Sequence, residues 1–205
     1  MTTDTAATGT ATPDAAPQPS GASPGKRSFF WERTHRADVP DGADLAALRR
    51  GIGRDPGTVP AMWRYYTTLR ADGRLTPSLH AEHIALALFA IHQQSQPRSV
   101  HAPGTRLGAA AKALRDNGKF SPDAVDRRFG TAATATSLSE AGYHLRGLVR
   151  QLRQITQPLD YTALYWDLVH WQDPEHIGRV RREWAAQYFL NREKETAVPT
   201  QDGHS

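Results

Sequence analysis

The residues with the clearest chemical potential are three arginines on one predicted helix. Arg146, Arg150 and Arg153 lie within the helix predicted over 137–156, and the sequence between Arg146 and Arg153 contains no Asp or Glu. At about 100° per residue, the three guanidinium groups fall within a sector of roughly 60°. Guanidinium forks suit phosphate oxygens, so the cluster favours a polyanion ligand. A solvated charged face is the alternative, because a single basic run on a helix commonly has no ligand.

The surrounding charge distribution favours the ligand interpretation. Between Arg98 and Arg153 the chain has ten basic and four acidic residues, which gives this region +6 although the whole chain carries +4. A local excess of this kind is typical of proteins that bind nucleic acid. The residues predicted to bind a nucleic-acid backbone are Arg49, Arg50, Lys112, Lys119, Arg127, Arg128, Arg146, Arg150 and Arg153.

Two members of this set have an alternative explanation. Arg49 and Arg50 end a predicted helix, where cations stabilise the exposed carbonyl groups and the negative end of the helix dipole. As a phosphate-binding pair, they would be a weak signal without the rest of the set.

Histidine and carboxylate spacing suggests a second chemistry. His80, Glu82 and His83 lie on one predicted helix, but the His-Ala-Glu-His spacing is one residue short of a zinc-protease signature. Asp167 and His170 form another potential ligand pair, and the chain has no cysteine. We therefore expect no metal, no cofactor and no catalytic activity. A metal-dependent hydrolase using His80, Glu82 and His83 is one alternative function, and a helical adaptor for an acidic protein is another.

The elements that must position these side chains are all predicted to be helices. No segment alternates polar and apolar residues as a strand would, so we predict an all-α bundle of about eight to nine helices. The segment from Thr76 to about Gln93 is apolar almost all round and is predicted to be the central helix. The other predicted helices open at Phe29 and Asp44, run from Pro60 through Leu69, and lie near 105–116, 122–129, 137–156, 160–171 and 174–191.

Composition divides the chain into three parts. Residues 1–27 contain almost no bulky apolar side chain and are predicted to be a disordered tail. Residues 28–192 form the helical domain, with a candidate subdomain boundary near 94–103, and 193–205 form a flexible C-terminal tail. The sequence has no long apolar run and no signal-peptide pattern, so we expect a cytoplasmic protein.

An ordered series of short motifs resembles the CasB family, the small subunit of the type I-E CRISPR Cascade surveillance complex. The resemblance spans roughly Phe29 to Leu190 and is most specific in the run Leu-Arg-Gly-Leu-Val-Arg followed by Pro-Leu-Asp-Tyr. The motifs, in chain order, are 47–51, Pro60 with Trp63 and Tyr66, 104–108, Arg128-Phe129, 145–152, 158–161 and Asp167-Leu168 with Trp171.

The resemblance implies a non-catalytic, all-helical protein that occurs as a pair in the complex. Its implied partners are the large subunit, the backbone subunits, a second copy of itself, the guide RNA and the target DNA, and its implied role is to stabilise the R-loop. Arg49, Arg50, Arg146 and Arg150 match arginines of the family motifs. Lys112, Lys119, Arg127 and Arg128 are predicted from charge clustering instead, and Arg153 from its position on the helix.

Overall fold

The computed structural model describes residues 28–36 and 39–190, and this part of the chain is helical without a β-strand. The all-α prediction is confirmed, while the predicted tails over 1–27 and 193–205 lie outside the described residues. A short 3-10 helix spans Pro60–Tyr65, and the α-helices are α1 (Phe30–Arg36), α2 (Gly42–Arg49), α3 (Pro77–Gln93), α4 (Leu107–Asp116), α5 (Pro122–Thr134), α6 (Leu138–Gln154), α7 (Tyr161–Trp171) and α8 (Ile177–Phe189).

Helix α3 is the central element, as its composition predicts. The Thr76 hydroxyl accepts a hydrogen bond from the amide of Leu79, and Pro77 occupies the first turn, where its missing N–H is tolerated. Thirteen of its seventeen residues are buried. This burial is possible because α2, α6 and α7 all pack against α3.

Helix α6 presents one apolar side to the core and one basic side outward. The Ser137 hydroxyl caps it by accepting from the amide of Glu140 at 3.1 Å. Leu145, Leu148 and Leu152 are fully buried. Because these leucines fix the rotation of the helix, Arg150 on the other side is exposed.

The segment after Pro60 corrects the prediction of a helix that reaches Leu69. The helix is a single 3-10 segment that ends at Tyr65. The backbone amides of Thr67 and Thr68 donate to the carboxylate of Glu82 at 2.7 and 2.8 Å instead of to helical carbonyls. A buried side chain on α3 therefore prevents the helix from continuing.

The start of α8 also differs from the prediction. Asp173 and Pro174 look like a helix start, but α8 begins at Ile177. The Asp173 carboxylate accepts from the amide of Glu175 at 2.9 Å and contacts Nδ1 of His176 at 2.6 Å. These bonds stabilise a separate turn, which delays the helix.

The candidate subdomain boundary at 94–103 is the connection between α3 and α4. Hydrogen bonds connect it to the neighbouring elements. The Val100 amide donates to the Gln93 side chain at 2.9 Å, and the Val100 carbonyl accepts from the Leu159 amide at 2.9 Å. One cluster of buried side chains includes residues on both sides of this connection. Among the described helices, none combines the length and the hydrophobicity needed to cross a lipid bilayer.

The fold is expected to lose stability in mild acid because of His92. Its ring is fully buried, contacts the Tyr161 hydroxyl at 3.0 Å, and burial lowers its pKa to about 4. The unfolded chain therefore binds a proton that the folded chain excludes as the pH falls from 6.5 to about 4. The full difference corresponds to about 3 kcal/mol of unfolding free energy.

Urea unfolding at a series of pH values measures this contribution. His92→Gln keeps a hydrogen-bonding side chain without a titrating ring, so its unfolding free energy should fall less steeply between pH 6.5 and 4. Equal pH dependence in the two proteins would assign the acid sensitivity to other groups.

Candidate nucleic-acid interface

The outer side of α6 gathers basic side chains from three parts of the chain. We call Lys119, Arg128, Arg146 and Arg150 the α6 strip. The strip follows α6 from Arg146 to Gln154, the last residue of this helix, over a length of about 12 Å at 1.5 Å per residue. Each of its members comes from a different turn or a different element, so the tertiary fold is what assembles it.

Arg128 enters the strip from α5. Its side chain crosses α6 at Gly147, where a Cβ would lie 3.4 Å from both Cδ and Nε of the arginine. Gly147 and Arg150 are three residues apart and therefore neighbours on the helix surface. Arg128 of α5 therefore lies against α6 at Gly147, one turn from Arg150.

Lys119 lies at the other end of the strip. It belongs to the loop between α4 and α5, and its Nζ donates to the carbonyl oxygen of Gln154 at 3.0 Å. Cations at a helix C-terminus are stabilised by the dipole and the free carbonyls. This contact places the ammonium group at the end of α6, in line with Arg150.

Arg146 is held in place by an aromatic ring. Its guanidinium carbon lies 5.0 Å from the ring centroid of Tyr143, one turn earlier on α6. This cation–π contact leaves the guanidinium hydrogens available for another acceptor. The Tyr143 side chain is 64% exposed, so the ring and the cation face solvent together.

The end of α2 approaches the strip across a groove. The loop from Gly51 to Pro56 forms one wall of this groove, and Arg146 lies on another. Arg49 and Arg50 directly precede the loop, and they have no ion pair with any carboxylate in the described part of the chain. The fold therefore places the end of α2 next to the loop that lines the groove together with Arg146.

Two predicted residues outside the strip are engaged within the fold, in addition to Lys119. Lys112 forms an ion pair with Asp116 one turn later on α4. The Arg153 guanidinium donates to the Ile91 carbonyl at 3.4 Å and to Gln94 Oε1 at 3.1 Å, at the C-terminus of α3. The structure thus separates Arg153 from its helix neighbours Arg146 and Arg150.

Arg127 lies beside the strip. It is exposed on α5, and no acidic side chain among the described residues pairs with it. Arg54, which follows Gly53 and lies outside the predicted set, lines the groove together with Arg146. Helical periodicity cannot identify Arg54, because it lies in a loop.

Three arginines at or on α4 and α8 differ from those of the strip because they form ion pairs. Arg106 binds Asp167 at 3.0 Å and Glu183 at 3.2 Å, and Arg179 binds Glu183 at 2.7 Å. On α4, Arg115 similarly binds Asp126 at 2.8 Å. The fold neutralises these arginines, whereas the described carboxylates form no ion pair with Arg128, Arg146 or Arg150.

The histidine–carboxylate segment of α3 has internal roles. Glu82 is fully buried and accepts hydrogen bonds from the amides and hydroxyls of Thr67 and Thr68. The Nε2 atom of His83 lies 2.9 Å from the Gly51 carbonyl, and its Nδ1 lies 2.7 Å from the Tyr66 hydroxyl. These contacts occupy the atoms of Glu82 and His83 that a metal or a substrate would need. Burial also lowers the pKa of His83.

Asp167 has an internal role as well. Its carboxylate accepts from Trp184 Nε1 at 2.8 Å and from Arg106 at 3.0 Å, and burial raises its pKa. Within 28–36 and 39–190, no three His, Asp or Glu side chains are grouped closely enough to hold a metal ion.

Together, the helical bundle and the row of cations along α6 define a class of protein, an all-α bundle that carries a basic strip. The family model for the CRISPR-associated protein Cse2 matches residues 44–189. The chain belongs to this family, which confirms the resemblance drawn from the motifs. The match covers α2 to α8 and so includes every member of the α6 strip.

Solved structures agree with this assignment. CasB from Thermobifida fusca is 30% identical and superposes with a TM-score of 0.59. The match covers 71% of this chain and 83% of the Thermobifida fusca chain. A chain of a CRISPR RNA-guided surveillance complex is 29% identical with a TM-score of 0.58, covering 77% of this chain and 87% of its own length. CasB from Thermus thermophilus, at 24% identity and a TM-score of 0.57 over 78% of this chain and 93% of its own, shares the fold. No curated protein sequence matches this chain.

Proposed function

We propose that this chain is the non-catalytic small subunit of a CRISPR RNA-guided surveillance complex in the cytoplasm. In this role the α6 strip and Arg127 bind the sugar-phosphate backbone of guide RNA or target DNA and stabilise the R-loop. The similar chain that belongs to a surveillance complex supports the assembly. The proposed partners are the large subunit, the backbone subunits and a second copy of this chain.

The observation that carries the nucleic-acid role is the group of cations along α6 that have no carboxylate partner among the residues that the structure describes. Arg106, Arg115 and Arg179 have carboxylate partners. Arg128 and Arg150, on the α6 side, form no ion pair within the described part of the chain. Adjacent unpaired guanidinium groups repel one another, and a row of phosphates relieves this repulsion.

The mechanism follows from backbone electrostatics. Cations that contact phosphates release condensed counterions, so binding should tolerate many sequences and weaken steeply as salt rises. Base pairing with the guide would supply sequence discrimination elsewhere in the assembly. Arg49 and Arg50 extend the basic surface across the groove. Lys112 and Arg153 contribute less, because the fold already uses their charges.

The test is purification of the tagged full-length chain from its host, followed by sequencing of any bound RNA. We expect the other subunits of the complex to copurify together with RNA that contains CRISPR-repeat sequence. Purification without these subunits and without repeat-derived RNA would contradict the proposal. If the basic side instead binds an acidic protein, short single-stranded DNA should compete poorly for that partner.

A further inference from the structure

A groove lies at the end of the α6 strip that contains Arg146. It has a volume of about 380 Å³ and lies between α3, α6 and the loop 51–56. Its floor is apolar and includes Ile84, Leu88 and Leu138. Its rim is polar or charged and includes Arg54, His80 and Arg146.

The wall formed by the loop is fixed in place by a buried histidine. Since the Gly51 carbonyl can only accept, His83 donates to it through Nε2, and its neutral ring accepts the Tyr66 hydroxyl at Nδ1. A Cβ at Gly51 would overlap the Met62 sulfur at 2.1 Å, so the backbone packs directly on the core. The groove is therefore preformed by packing and does not depend on a ligand to open it.

The opposite rim provides an aromatic surface. The exposed Tyr143 ring lines the groove, with the Arg146 guanidinium 5.0 Å from its centroid. Aromatic rings and guanidinium planes are the groups on which unpaired bases stack in single-stranded nucleic-acid sites. The apolar faces of a base can pack on the apolar floor of the groove, and its polar edge can form hydrogen bonds with the side chains of the rim.

We propose that this groove binds one unstacked nucleobase of the strand whose phosphates lie on the α6 strip. The inference rests on the proposed function and adds a specific site to it. Charge complementarity favours a nucleotide, because Arg54 and Arg146 line the groove with a single carboxylate, that of Asp55. Arg146 belongs to both features, so a strand on the strip passes the mouth of the groove.

The test compares a normal single-stranded DNA with an abasic strand of the same length at low salt, both binding to the full-length chain. Both strands carry the same phosphates, so their difference isolates the bases. We expect about tenfold tighter binding of the normal strand, from the stacking of one base. Ser139→Trp places a bulky ring in the groove from an exposed position on α6 and should abolish this preference.

Two further variants keep the test interpretable. Ala185→Trp adds the same ring at an exposed position of α8 outside the groove and should keep the tenfold preference. Tyr143→Ala removes an exposed ring and should reduce the preference without lowering the melting temperature. Loss of the preference in Tyr143→Ala supports the site even if Ser139→Trp fails to fold.

The other outcomes overturn the proposal in distinguishable ways. Equal binding of the two strands by the wild-type chain removes the base site and leaves the α6 strip intact. Failure to bind either strand removes the nucleic-acid role proposed for the α6 strip, and the base site with it. If Ser139→Trp keeps the preference but no longer assembles with the other subunits, the groove holds a protein side chain.

Discussion

Replacing Arg128, Arg146 and Arg150 together by alanine is expected to lower the affinity for single-stranded DNA about 100-fold, which corresponds to about 2.7 kcal/mol. Each of these side chains can donate to a phosphate, and a charge-assisted hydrogen bond contributes about 1.5–3 kcal/mol before competition with water and salt at an exposed site. The substitutions remove no ion pair of the described fold, so the melting temperature should remain close to that of the wild-type chain.

A matched triple variant separates the effect of the strip on DNA affinity from the effect of the total charge. Arg33, Arg74 and Arg182 are exposed arginines outside α6 that form no ion pair with a described carboxylate, and their replacement by alanine changes the net charge equally. We expect this control to bind DNA nearly as well as the wild-type chain. The slope of log affinity against log salt should fall by about 2 in the strip variant, because about 0.7 counterions are released per phosphate contact on a single strand. Equal losses in the two triple variants would show that total charge, and not the strip, sets the affinity.

Glu82→Ala is expected to be the most destabilising single substitution that the structure suggests, with a loss of about 4 kcal/mol of unfolding free energy. The carboxylate is fully buried and accepts four hydrogen bonds from Thr67 and Thr68. Its removal leaves the two amides and two hydroxyls of half-buried threonines without their acceptor, and each unsatisfied group costs about 1 kcal/mol, the lower end of the range for buried groups. A loss of this size is a large fraction of the 5–15 kcal/mol that is typical of folded domains.

Glu140→Ala is the matched control for this prediction. Glu140 also accepts from the amide and hydroxyl of one threonine, Thr136, but it lies near the protein surface. Water can replace it, so urea unfolding should show a much smaller loss of stability. The comparison also tests the hydrolase alternative. A catalytic Glu82 would be dispensable for stability, so an unchanged unfolding free energy in Glu82→Ala would contradict the structural role.

The sequence by itself determined the fold class, the central helix and the family. Apolar residues at helical spacing identify α3 and α6, because the core needs a continuous apolar surface on each helix. The caps at Thr76 and Ser137 are equally local, since each hydroxyl binds an amide three residues later. The motif series is confirmed by the family match over 44–189.

Tertiary structure alone decided which cations lie together and remain unpaired. Arg153 shares a helix with Arg150, yet it binds carbonyl and amide oxygens at the end of α3. Arg128, from a different helix, instead joins the strip at Gly147. Helical spacing gives the direction of a side chain from its own helix and says nothing about which neighbouring groups it meets. For the same reason, the end of the helix at Tyr65, which depends on Glu82 seventeen residues away, could not be predicted from local sequence.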